Sequence, residues 1–128
     1  MKLYWVPEFE IGNENVDLQH RYFLGLITRI EKNLRETTND DYKRKLIIEL
    51  HKYADFHFAS EENIAISCGI SGVKNHHQLH LQLLEELNHY AENLDSGLKT
   101  IDEFIEFITD WFLVHTQHED RKLFKAKT

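Results

Sequence analysis

Apolar residues return every three or four positions through four long stretches of this chain, and glycine or small polar clusters break the rhythm between them. The first stretch runs Val16, Phe23, Ile27, Ile30 and Leu34, and the second Leu46, Leu50, Tyr53, Ile64 and Cys68. The third runs Val73, Leu83, Leu87, Tyr90 and Leu94, and the fourth Ile101, Ile105, Ile108 and Phe112. That period belongs to amphipathic α-helices. The breaks fall at TTND (37–40), CGISG (68–72) and DSG (95–97). Four helices joined by short loops predict an all-α fold, an antiparallel up-down-up-down four-helix bundle, as a single domain over residues 1–128. TIDE, 100–103, reads as a capping box opening the fourth helix. Before about residue 15 the apolar residues Trp5, Pro7, Phe9 and Ile11 alternate. This arm is expected to lie extended with one apolar side down, and Pro7 excludes a helix through it.

Polar residues stand where these stripes demand apolar ones. His20 falls in the stripe of the first helix, His57 and Glu61 in the second, His76 and His80 in the third, and His115 in the fourth. Each lies between apolar neighbours of its own face, so a solvated polar face does not explain them. Burying an ionised carboxylate costs several kcal/mol unless an opposite charge compensates it. A single core histidine bonded to a backbone carbonyl would be ordinary. Six inward polar residues spread over four helices are explained together by a metal centre, and bundle cores are where such centres are built. His57 and Glu61, like His76 and His80, are spaced i, i+4, so each pair projects from one helix face. Imidazole with carboxylate suits iron, zinc or copper, and the ligands are too many for one tetrahedral zinc. Two ions sharing bridging carboxylates is the economical arrangement.

Composition narrows the rest. The chain has 128 residues, 41% hydrophobic and 29% charged, which is ordinary for one globular domain. Its net charge of −7 argues against nucleic acid and anionic membrane surfaces as partners. No apolar run is long enough for a leader or a membrane span, and Cys68 stands alone, so no internal disulfide can form. A cytoplasmic monomer is expected. Histidine is the anomaly, with nine in the chain. Spacing does not decide between His76 and His77, because both have apolar residues seven positions on. It also favours Glu119 over Asp120 as a companion of His115, since at i+4 a residue sits about 40° round the helix and at i+5 about 140°.

WVPEFEIGNENVDLQH (5–20), HFASEE (57–62), HHQLHLQLL (76–84) and WFLVHTQHED (111–120) resemble, in order, the metal-binding segments of the hemerythrin family, especially the single-domain bacteriohemerythrins. The resemblance spans nearly the whole chain and includes the intervals between segments. It implies two iron ions, one held by His76, His80 and His115 and the other by His20 and His57. Glu61 and Asp120 would bridge them, with an oxo or hydroxo group as the third bridge. His77 is left over, and His51, His89 and His118 read as solvated helix-face residues. Following the family's H-x4-D pattern puts Asp120 on the metals and Glu119 in solvent, with a widened helical turn between 115 and 120. Two histidines and three bridges leave one iron an open sixth position, where the family binds dioxygen reversibly. Trp111 and Phe112 are expected to wall that pocket, with Ile27 and Ile64. The family usually carries Leu after the tryptophan and Ile after the histidine, whereas this chain has Phe112 and Thr116, the latter adding a hydroxyl near the pocket. The function implied is non-catalytic oxygen binding for storage, delivery or sensing. The alternative is a diiron enzyme, a peroxidase or an oxygen-scavenging oxidase, and a third reading is a detached sensory module. The protein that would receive the oxygen is not legible in the chain.

Overall fold

A computed structural model describes residues 4–93 and 98–125, apart from the side chains of 98–100. It is a four-helix bundle: α1 (Glu14–Glu36), α2 (Asp40–Ser67), α3 (Val73–Asn93) and α4 (Leu98–Trp111). The last helix continues as a π-helical segment, Phe112–Asp120, and ends in a short α5, Arg121–Lys125. No helix among the described residues is long and apolar enough to cross a membrane.

Local chemistry sets the boundaries. Asn13 caps α1 by accepting from the Val16 N–H at 3.1 Å, and Asn39 caps α2 by accepting from Tyr42 N–H at 3.0 Å. The end of α2 is a Schellman turn: Gly69 N–H bonds Ile66 C=O, Ile70 N–H bonds Ala65 C=O, and Gly69 supplies the left-handed φ of 72°. The break expected at 95–97 and the stripe residue Leu94 lie outside the described residues. Helix α4 begins at Leu98, so the capping box expected to open it at Thr100 falls inside the helix instead.

The arm differs from expectation. It is not extended throughout, because Pro7–Phe9 forms a 3₁₀ turn. Proline is suited to the first position of such a turn, where its missing N–H has no partner to lose. The turn exposes Pro7 and sets Trp5 and Phe9 on the same side, ring centroids 5.6 Å apart, against the bundle core. Arg121 donates to the Glu8 carbonyl at 2.7 Å and Gln117 to the Phe9 carbonyl at 3.2 Å, which pins the arm across the end of the rod formed by α4 and its continuation.

The predicted stripes of α1 and α4 are buried throughout. That of α2 drifts toward its end, burying Ala65 while Ile64 is only half-buried and lines a surface groove with Phe56 and Ala59. A large apolar core gathers Phe23, Ile27, Leu50, Phe58, Leu87 and Phe112 with their neighbours. A small one, Ala65, Ile70 and Leu123, plugs the other end. The inward polar residues form a layer between the two, met near the start of α1, late in α2, early in α3 and at the end of the rod. That order is the up-down-up-down path.

Candidate metal centre

Seven side chains meet in the polar layer: His20, His57, Glu61, His76, His80, His115 and Asp120. None is more than 4% exposed. Their ligand-type atoms sort into two overlapping sets, one of Glu61, His76, His80, His115 and Asp120 and the other of His20, His57, Glu61 and Asp120.

The two carboxylates each divide their oxygens between the sets. Glu61 Oε1 lies 2.9 Å from His76 Nε2 and 3.3 Å from His80 Nε2. Its other oxygen, Oε2, lies 3.5 Å from His20 Nε2 and 3.6 Å from His57 Nε2. Asp120 Oδ1 is 2.7 Å from His76 Nε2 and 3.0 Å from His115 Nε2, and Oδ2 is 3.0 Å from His20 Nε2. One oxygen of each carboxylate therefore faces imidazoles of the three-histidine set, and the other faces the two-histidine set.

Close as they are, several of these atoms are not hydrogen-bonded. Nε2 of His20, His80 and His115, Oε2 of Glu61 and Oδ2 of Asp120 are buried without a hydrogen-bond partner. Orphaned buried polar atoms of this kind are costly and rare. Donors bound to one ion at about 2.1 Å and at right angles lie about 3 Å apart with their lone pairs converging, not facing one another. The donor set and its orphaned atoms thus fit a pair of metal ions.

The outward nitrogens of His57 and His80 are held, whereas His20 Nδ1 is buried without a partner. His57 Nδ1 is 2.7 Å from Gln19 Oε1, and Gln19 in turn donates to Ser60 Oγ at 2.8 Å. His80 Nδ1 is 2.7 Å from Glu62 Oε2, whose Oε1 is 2.8 Å from His77 Nδ1. Because Gln19 and Glu62 present oxygen acceptors, the Nδ1 of each imidazole carries the proton and Nε2 keeps its lone pair for the centre. Sequence reasoning passed over Gln19 and Glu62. Their signals were adjacency to His20 and Glu61, which in a helix says little about direction. His77, left over among the histidines, is exposed at the surface and holds Glu62. His89 and His118 are exposed as expected, but His51 is half-buried with an unpartnered Nε2.

Electrostatics follow from the packing. Burial alone would lower the His20 and His76 pKa values, but the Asp120 and Glu61 carboxylates close beside both rings outweigh it and raise both to about 9. Burial dominates at His57, which drops to about 4. Burial and the Asp120 charge push Glu61 up, yet the imidazoles of His20, His76 and His80 close to its oxygens bring it down to about 2. Burial likewise pushes Asp120 up, and His115, His20 and His76 hold it well below the usual carboxylate range.

Aromatic rings close the layer. Trp111 stacks on His115 with centroids 5.4 Å apart and Phe58 on His80 at 3.9 Å, while Phe112 meets His20 edge-on at 6.5 Å. Trp111 and Phe112 are therefore beside the cluster, whereas Ile64 is only half-buried, and Ile27 belongs to the apolar core that contains both aromatic rings. Thr116 is fully buried, but its hydroxyl donates to the Phe112 carbonyl. The expected new hydroxyl facing the pocket is committed to the backbone.

The π-helical stretch resolves the choice between Glu119 and Asp120. Bonding at i+5 widens the turn, so Asp120 faces the same way as His115. Glu119 is excluded from the cluster, yet it is half-buried and does not simply face solvent.

The Hemerythrin HHE cation binding domain matches residues 11–126. Bacteriohemerythrin of Clostridium acetobutylicum is 30% identical over 124 residues, covering 92% of this chain and 95% of that protein. Hemerythrin-like protein of Naegleria gruberi is 25% identical, covering 92% and 87%. Myohemerythrin of Riftia pachyptila is 22% identical, covering 92% and 88%. Since the domain match takes in all four helices and every one of the seven converging side chains, this chain belongs to the hemerythrin family.

Proposed function

We propose that the chain holds two iron ions in this layer and binds dioxygen reversibly, as a non-catalytic carrier for storage, delivery or sensing. The observation that carries the reading is the division of Glu61 and Asp120 oxygens between a three-histidine set and a two-histidine set. That arrangement suits two adjacent ions bridged by both carboxylates, one held further by His76, His80 and His115 and the other by His20 and His57. An iron pair there would supply electrons to bound dioxygen and take them back.

The remaining work falls to the chain's own groups. Gln19 and Glu62 accept the Nδ1 protons of His57 and His80, which fixes both rings with Nε2 inward. Phe112 and Phe23 pack edge-on around His20 and His57, so the two-histidine side is dry, with exposures of 0% and 1%. A dry wall limits loss of bound oxygen to water and protons. Such packing beside His20 argues against an oxidase that would have to seat a bulky organic substrate there. Cys68, without a partner for an internal disulfide, fits a reducing cytoplasm.

Metal analysis should give two irons per chain. The anaerobically reduced protein should gain a visible absorption band with dioxygen and lose it under argon. One metal per chain, or zinc as the native occupant, would overturn the diiron reading. A band that forms once and does not reverse would point to the oxidase instead.

A further inference from the structure

The seven residues of the centre are unequally buried. Glu61, His20 and Asp120 are 0% exposed, and His57 and His80 1%, while His76 and His115 retain 4% each. The last two line grooves that open to solvent between α3 and the π-helical segment. The larger groove, about 420 Å³, has Leu83, Phe107 and Trp111 in its apolar lining and reaches His115. A smaller one, about 210 Å³, reaches His76. Glu119 lines both.

Charge separates the two grooves. The ionisable residues lining the larger one, apart from His115, are Glu86, Asp110 and Glu119, all acidic, and among the described residues none of them forms an ion pair. In the smaller groove Lys122 stands with Glu119 and repels a cation. At the inner end of the larger groove stands His115, whose Nε2 is buried in the centre without a hydrogen bond, 3.0 Å from Asp120 Oδ1. The path therefore begins with carboxylates free of ion pairs among the described residues and ends on an imidazole of the centre.

We infer that divalent metal reaches the centre from the three-histidine side, through the acidic groove, and that Glu119 is the carboxylate that captures the hydrated ion and passes it to His115. This rests on the diiron reading proposed above. A hydrated divalent ion must exchange waters for protein ligands one at a time, and a carboxylate at the mouth offers the first exchange and a Coulombic pull. Glu119 is one residue from Asp120 in sequence, so the capturing group and the final bridge are carried by the same widened turn. It binds in passing and is not a resident ligand, because its side chain is absent from the converging set.

The test is the rate of Co(II) uptake by the metal-free chain, followed by visible absorption, with far-UV circular dichroism confirming the fold of each variant. Glu119→Gln should slow uptake about three- to tenfold and flatten its ionic-strength dependence, as removal of a rim charge typically does. The final stoichiometry should stay at two, and Glu119→Asp should restore most of the rate. Asp55→Asn makes the same change in net charge at an exposed site on α2 and should leave the rate as in the parent chain. A parent-like rate in Glu119→Gln, or equal slowing in Asp55→Asn, would overturn the route. A loss of final stoichiometry in Glu119→Gln would make Glu119 a resident ligand and overturn it equally. A parent chain that takes up one Co(II) or none would remove the diiron reading itself, and the route with it.

Discussion

Glu62 and Gln19 hold corresponding imidazoles on opposite sides of the centre, but only Glu62 carries charge. A carboxylate on Nδ1 makes the ring a stronger donor at Nε2 than an amide does, so His80 should bind its ion more firmly than His57. Glu62→Leu is expected to weaken metal affinity about 10- to 100-fold, and Glu62→Gln less, because the amide keeps an acceptor for the Nδ1 proton. Chelator competition measures this, and equal losses in both variants would mean that Glu62 only fills space. Thr116 carries a second expectation at this scale. With its hydroxyl bonded to the Phe112 carbonyl, Thr116→Val removes one buried hydrogen bond and should cost about 1 kcal/mol with iron content unchanged. Denaturant unfolding reports the cost. Phe112 is fully buried, so Phe112→Ala should cost about 3–5 kcal/mol and open the wall beside His20. Autoxidation that is no faster in this variant would show that the ring does not guard the site.

The π-helical segment shows where sequence pattern stopped being a sufficient guide. The stripes of α1 and α4 were legible throughout, and those of α2 and α3 in part, because burial selects apolar residues at the helical period, while Tyr53, Ile64, Val73, Leu83 and Tyr90 are only half-buried. The polar interruptions at His20, His57, Glu61, His76, His80 and His115 were legible against that background. Asp120 was not, since 100° per residue places it off the face of His115 and favours Glu119. Only the resemblance to the family's pattern selected Asp120, and the widened turn from Phe112 to Asp120 is the physical reason that it can reach. The arm failed to be read for a similar reason: alternation suggested an extended strand, whereas Pro7 favoured a tight turn that pairs Trp5 with Phe9. The groups beyond the ligands, Gln19, Glu62 and His77, depend on side-chain direction between helices, which one helix's periodicity does not contain. The turn yields its own expectation. Asp120→Ala should strip metal, while Glu119→Ala should keep two ions per chain at equilibrium, with the slower loading described above. Metal content after exhaustive dialysis decides, and the reverse pattern would mean that an ordinary α-helical turn holds in solution.

Across the whole molecule, the centre ties four helices together through a layer that is costly without metal. Anything that binds the folded state alone stabilises it, so metal should raise the melting temperature. Protons compete for the same atoms, and the direction of each shift sets how. In the metal-free chain His20 and His76 are raised from 6.5 to about 9 by Asp120 and Glu61, against the opposing effect of burial. Their contribution to stability is therefore complete below about pH 6.5 and is lost as pH rises through 9. Glu61, lowered from 4.5 to about 2, and Asp120, also lowered, contribute above their ordinary values, and that contribution is lost as pH falls through the lowered ones. His57, lowered from 6.5 to about 4, makes stability fall as pH drops below 6.5, so the metal-free bundle should be most stable near pH 6.5 and lose stability on either side. Metal needs the opposite state of the imidazoles, because each must offer a bare Nε2. At pH 7.5 uptake must displace the protons on His20 and His76, whereas His57, at about 4, is already neutral. Calorimetric titration of metal into the metal-free chain in buffers of different ionisation enthalpy should therefore show at least two protons released per chain at pH 7.5. Apparent affinity should climb with pH until about 9. Release of no protons at pH 7.5 would mean that His20 and His76 are neutral before metal arrives, and that the carboxylates do not hold the empty layer together by charge.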